Sequence, residues 1–190
     1  MTQHFSMADP DDTLPGLTVL TLRQLEIICP QSKPARLEMF VIPLNATFDE
    51  FGIDTPEQRQ RFLAQIAHES GGFFYVRELA SGEAYEGRAD LGNTEPGDGR
   101  KFRGRGLIQI TGRANTRACS RALFGDDRLL DDPTPLEQPD LAARSAGWFW
   151  QSHGLGNVTD FERLTRKING GLNGLADRYA YFGRAKQAIA

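Results

Sequence analysis

The sequence predicts a mainly α protein, one helical body with a loop-rich middle. Two observations carry this reading. Apolar residues recur three or four positions apart in segment after segment, the period of helices that bury one face. Residues of strand character are confined to two short stretches, 73–79 and 102–111, each flanked by glycine. These read as short strands or extended loops.

Residues 1–20 read as a poorly ordered lead-in, because Pro10, Pro15 and Gly16 break any period, and 21–190 read as a single domain. Leu22, Leu25 and Ile28 have helical spacing between Thr21 and Pro30. A second stripe runs through Leu37, Phe40, Val41, Leu44 and Phe48, with Pro43 expected to kink it. The clearest helix start is Thr55-Pro56 with Gln58, which supplies an N-cap, a first-turn proline and a capping-box partner. This helix should run to about Ser70, with Phe62, Leu63, Ile66 and Ala67 as its core stripe and Gly71-Gly72 as its stop. Further helices are expected over 114–124, 141–152, 160–168 and 175–189, and a glycine-rich run at 82–106 separates the two strand-like stretches.

Composition narrows the function classes. A length of 190 residues suits one compact domain. The net charge of −3 gives no general reason for attraction to nucleic acid or anionic lipid. The longest apolar stretch, 39–44, is far short of a membrane span, so no stable membrane insertion is expected. Cys29 and Cys119 form neither a disulfide framework nor a metal-ligand spacing and read as reduced, buried thiols. Residues 1–16 have neither a basic start nor an apolar run, so no secretory signal is read there.

Three clusters have chemical potential. His68-Glu69-Ser70 ends the capped helix, and at about 100° per residue Glu69 falls near the angle of Phe62 and Ile66. Partial burial and the negative end of the helix dipole both disfavour the charged carboxylate, which suits a general acid. A zinc-protease reading fails on spacing, since Gly72 stands where the second histidine belongs. A helix-end carboxylate in a polar pocket is the plainer alternative for this segment alone. Glycoside hydrolysis needs a second carboxylate. On an unbroken helix Glu78 would sit about 180° around from Glu69, roughly 13 Å along the axis, but a stop at Gly71-Gly72 lets 73–77 fold back and bring Glu78 across a cleft. Glu83, Glu86 and Asp90 are rivals by position, a surface ion pair is the plainer reading of Glu78, and Arg77 would help keep Glu78 ionised if their side chains meet. In the third cluster, residues 101–115, Gln109, Thr111 and Asn115 offer uncharged groups suited to sugar hydroxyls, acetamido groups or a water. As a basic loop this stretch also suits RNA, but it lacks interleaved aromatics and a phosphate-loop motif.

Together, His68-Glu69-Ser70-Gly71-Gly72-Phe73, Phe102-Arg103-Gly104-Arg105-Gly106-Leu107-Ile108-Gln109-Ile110-Thr111-Gly112 and Lys167-Ile168-Asn169-Gly170-Gly171 resemble glycoside hydrolase family 19, a family of chitinases and phage endolysins. The resemblance spans about residues 37–182. It implies an α+β lysozyme-like fold, two-lobed and mostly helical, with a small β-hairpin or loop region, a central substrate groove and an inverting mechanism. Glu69 matches the family's general acid, Glu78 the base, and Thr111 the Ser or Thr that holds the attacking water. His68, Gln109, Asn115 and Asn169 match substrate-positioning residues, and Arg105 and Arg178 look like supporting charges. Thr116 departs from the pattern, which usually has a groove-lining tyrosine there, so sugar contacts at that position are expected to differ.

The resemblance calls for no metal or organic cofactor. Residues 172–178 are similar to phage and prophage lysis enzymes, which favours peptidoglycan as substrate and a peptidoglycan N-acetylmuramidase, or lysozyme, activity. The expected protein is a monomeric endolysin that accumulates in the host cytoplasm, depends on a separate holin-type factor for release, and then cuts glycan strands of the periplasmic wall. It is expected to bind no nucleic acid. A chitinase, a lytic transglycosylase with one acid, and an inactive glycan-binding module are the alternatives.

Overall fold

A computed structural model describes residues 19–189. Most of the expected lead-in therefore lies outside the described residues. Its last residue is tied down: Leu20 is buried, and its amide and carbonyl both bond to the side chain of Asn45.

The expected helices form, and two four-residue helices that were not expected, the fourth and sixth in chain order, join them: α1 (Leu22–Ile28), α2 (Pro34–Phe51), α3 (Pro56–Glu69), α4 (Asp98–Lys101), α5 (Arg113–Phe124), α6 (Arg128–Asp131), α7 (Pro139–Ser152), α8 (Phe161–Asn169) and α9 (Leu175–Ala188). Local chemistry explains their starts. Thr21 and Gln24 form a reciprocal capping box on α1, and Asp160 accepts from the Arg163 amide at the start of α8. Thr55 caps α3 through the Gln58 amide, but the Gln58 side chain accepts from Asp54 rather than from Thr55, so the expected reciprocal box is only half made.

A large core cluster joins α1, α2, α3, α7, α8 and α9, with Phe62 edge-on to both Phe48 and Trp150. A second, smaller cluster gathers Ile110, Cys119, Leu123, Leu129 and Leu136. Phe51, Ile108 and Phe149 pack against both and join the two lobes. Both cysteines are free and buried, and burial pushes each thiol up to about 12.

Of the two readings of 73–79 and 102–111, short strands or extended loops, the structure has loops, held by isolated bridges from Arg77 to Arg105 and from Arg105 to Ile110. Helix α3 is buried beyond its expected core stripe, because every residue from Arg59 to Ala67 is buried. Arg59 bonds the Ile53 carbonyl, Gln60 the Ile189 carbonyl and Gln65 the Thr165 hydroxyl, and so satisfied these three can occupy the interior. Arg61 reaches the Gly156 carbonyl, while its buried Nε has no hydrogen-bond partner among the described residues. Thus α3, packed along α9, is a central rod whose C-terminal end is held in place.

Candidate active site

His68 and Glu69 emerge where this rod ends. The Glu69 side chain is 22% exposed, and its Oε1 accepts a hydrogen bond from Arg178, which is buried in the first turn of α9. Arg178 also donates to Gln65 Oε1 and to the Asn173 carbonyl. Gln65 lies one helical turn before Glu69, on the same face, so one guanidinium spans both. Next to it, His68 Nδ1 is 2.6 Å from Asp177 Oδ2. Burial and the helix terminus were the two local influences legible at Glu69. Arg178, a third, comes from 109 residues away.

Beyond Glu69 the chain reverses. Gly71, Gly72 and Phe73 have φ of 60°, 72° and 68°, so the left-handed turn extends one residue past the paired glycines. Gly72 N donates to Ala67 O at 2.7 Å and Tyr75 N to Ser70 O at 2.8 Å. The Ser70 hydroxyl bonds the Ile66 carbonyl and accepts from the Phe73 amide. Phe73 is held in its strained conformation by a fully buried ring 5.4 Å from that of Phe40. A side chain at Gly72 has no such compensation, since its Cβ would lie 2.5 Å from both Gln31 Nε2 and Ser32 Oγ. Gly72→Ala is expected to cost about 1–3 kcal/mol of stability, read as a lowered thermal midpoint.

The chain then runs extended to Glu78, with Gly106 N donating to Val76 O and Glu78 N to Gly104 O, both at 2.9 Å. The Glu78 carboxylate accepts from the Tyr85 hydroxyl at 2.9 Å and from the Gly104 amide at 3.1 Å. Burial and this hydrogen bond raise the Tyr85 hydroxyl above its ordinary pKa. Arg77 does not meet Glu78. It reaches Glu137 at 3.9 Å, because successive side chains of an extended segment point to opposite sides.

The positional rivals of Glu78 are engaged elsewhere. Glu83 pairs with Arg100, Asp90 pairs with Arg88 at 2.6 Å, and Glu86 accepts from the Gly97 and Gly99 amides. Their neighbours give them work in holding the 82–106 loops.

The third cluster folds around Gly104. A Cβ there would lie 2.7 Å from Gln109 Oε1 and 3.3 Å from Glu78 Oε2, so the missing side chain lets these two groups flank one backbone position. Gln109 itself has φ of 57°. Its carbonyl accepts from the Thr111 hydroxyl, and the Thr111 carbonyl accepts from Asn115. Arg105 turns inward, bonding Glu137 at 2.9 Å and the Lys101 carbonyl, and burial pulls its pKa down. Its charge is paired with Glu137 in the interior and not presented on the surface of what read as a basic loop. Gln109, Thr111 and Asn115 line a cavity of about 160 Å³ with Trp148, Phe149 and His153. Asn169 ends α8, and its buried Nδ2 has no hydrogen-bond partner. Thr116 is buried in α5 and faces the small core rather than solvent.

The structure therefore forms three groups: His68-Glu69 against α9, Glu78 with Gln109 about Gly104, and Gln109, Thr111 and Asn115 around the cavity. Glu69 and Glu78 line neither that cavity nor a larger one of about 630 Å³ beside the glycine turn. Sequence reasoning missed Gln65, Tyr85, His153 and Asp177. Only Gln65 had a signal, its one-turn spacing from Glu69. Among the described residues no His, Cys, Asp and Glu cluster could hold a metal ion, and no helix is long and apolar enough to cross a membrane.

No family model matches the chain. A Haemophilus influenzae protein described as a glycosyl hydrolase family 19 domain-containing protein is 33% identical over 166 residues, 71% of this chain and 82% of that protein. An Arabidopsis thaliana endochitinase is 32% identical over 172 residues, 86% of this chain but only 59% of the plant protein. Chitinase C from Streptomyces griseus has a similar structure, with a TM-score of 0.70 and 25% identity, covering 90% of this chain and 76% of that one. The class IV family 19 chitinase from Zea mays has a TM-score of 0.65 and 26% identity, covering 90% of each chain.

Proposed function

This chain belongs to glycoside hydrolase family 19, and from that premise we propose that it cuts β-1,4 bonds of bacterial peptidoglycan by single displacement, with Glu69 as acid and Glu78 as base. The observation that carries the proposal is the difference in hydrogen bonding between two carboxyl groups on either side of one glycine turn. Glu69 Oε1 accepts from Arg178, a group with donors only, which leaves Oε2 as the oxygen to face the leaving glycosidic oxygen. Both Glu78 oxygens are held in place, Oε1 by the Tyr85 hydroxyl and Oε2 by the Gly104 amide.

In the reaction, Glu69 Oε2 protonates the glycosidic oxygen as the C1–O bond breaks. A water steadied by Thr111 bonds to C1 from the opposite face and gives its proton to Glu78. The products are a new reducing end of inverted configuration and a shortened chain, and proton exchange with solvent resets both carboxyl groups. The geometry requires about 6.5–9.5 Å between them to admit the water. His68, Gln109, Asn115 and Asn169 would hydrogen-bond the sugar hydroxyls and acetamido groups, with Arg105 and Arg178 as supporting charges.

Support for peptidoglycan and an endolysin role comes from residues 172–178, the run similar to phage lysis enzymes. It includes Asp177 on His68 and Arg178 on Glu69. On this reading the monomeric enzyme gathers in the host cytoplasm, and a holin-type factor admits it to the wall. A chitinase is the second reading, favoured by the names of the plant relatives. Parallel digestion of purified sacculi and chitin tests the choice. The proposal expects sacculi to yield hydrated N-acetylmuramic acid reducing ends. Anhydromuramic ends would mean a lytic transglycosylase, and release from chitin alone a chitinase.

A further inference from the structure

We infer that the cleft beside the Gly71-Gly72 turn binds the carboxylate-bearing peptide arm of peptidoglycan, an inference that rests on the peptidoglycan reading above. The cleft measures about 630 Å³ and lies between the α1–α2 corner and residues 71–76. Its volume is that of a ligand site. Its walls are fixed, because Ser32 Oγ donates to the Gly72 carbonyl and Arg36 Nε to the Phe73 carbonyl, each at 2.7 Å.

The lining has two cations, Lys33 and Arg36, and no acidic residue. Lys33 is exposed, and no salt bridge engages it among the described residues. Arg36 holds the Phe73 and Phe74 carbonyls and approaches the Met39 sulfur, leaving part of its five-donor fork unspent. Beside these cations stand Phe74, 66% exposed, and Tyr75, 40% exposed, with rings edge-on at 4.8 Å. A neutral N-acetylglucosamine chain carries no anion to match this charge. The stem peptides of peptidoglycan do, and they add small apolar side chains suited to the rings. Such a peptide would reach the cleft from a sugar in the cutting groove. Gly72 is three residues from Glu69 and Val76 two from Glu78, separations of at most about 11 Å and 7 Å.

The test compares Lys33→Glu with the unmodified protein on three substrates: intact sacculi, sacculi stripped of stem peptides by an amidase, and chitin oligosaccharides. Lys33 touches neither candidate catalytic group, and an acidic residue at the start of α2 suits the helix dipole, so the fold should hold. The expected result is a drop of about tenfold in kcat/KM on intact sacculi, mostly through KM, as for a lost charged hydrogen bond, with stripped glycan unaffected. Phe74→Ala should shift KM in the same direction and on the same substrate. Equal losses on intact and stripped sacculi, or no loss on either, would overturn the peptide-arm site and leave the peptidoglycan reading standing. Cleavage of chitin with no cleavage of either form of sacculi by the unmodified protein would overturn both.

Discussion

Glu69→Gln is expected to lower turnover on glycan by about a thousandfold, within the range set by loss of a general acid and equivalent to about 4 kcal/mol of barrier. The amide keeps the size of the side chain and an oxygen for Arg178, but it has no proton to give to a leaving oxygen. Arg178 is buried, with Gln65 and the Asn173 carbonyl as its other partners, and the Glu69 carboxyl is replaced there by a weaker amide acceptor. A stability loss of about 1–2 kcal/mol should accompany the lost activity. Glu69→Ala is the poorer probe, because stranding a buried cation costs about 3–5 kcal/mol and confuses lost chemistry with lost structure. Turnover and urea unfolding measured on one preparation separate the two effects.

Glu78→Gln should lower turnover by about 10²–10⁴-fold with little change in stability. Its partners explain the difference. Tyr85 and the Gly104 amide are both donors, and the glutamine oxygen can still satisfy one of them on a partly exposed loop. Glu83→Gln and Glu86→Gln provide the contrast, since Arg100 and the Gly97 and Gly99 amides account for those carboxylates. They should retain most activity. Full activity in Glu78→Gln with loss in Glu83→Gln would move the base to Glu83.

How far such roles can be read from sequence depends on where the partners lie. The helices were legible because their apolar period and caps are local: Thr55 sits beside the amide it caps, and Gly71-Gly72 directly follows the helix it ends. The four-residue helices α4 and α6 were not, since neither is long enough to display a period. Full burial of α3 was hidden for a different reason. Gln60 and Gln65 lie off the apolar stripe on a wheel, yet the groups that satisfy them lie 100 or more residues away. The same applies to Arg178 on Glu69 and Asp177 on His68, each 109 residues distant. Arg77 misled because adjacency in sequence is opposition in an extended chain, and Tyr85 lay in a glycine-rich run without any period.

The central claim is that two carboxyl groups, one protonated and one bare, act on opposite faces of one sugar. The anomeric configuration of the first product tests it most directly, followed by proton NMR before mutarotation mixes the anomers. The account expects the α-anomer to appear first from a β-1,4-linked chain. A β-anomer appearing first would contradict it, because a water activated by Glu78 on the far face cannot retain configuration.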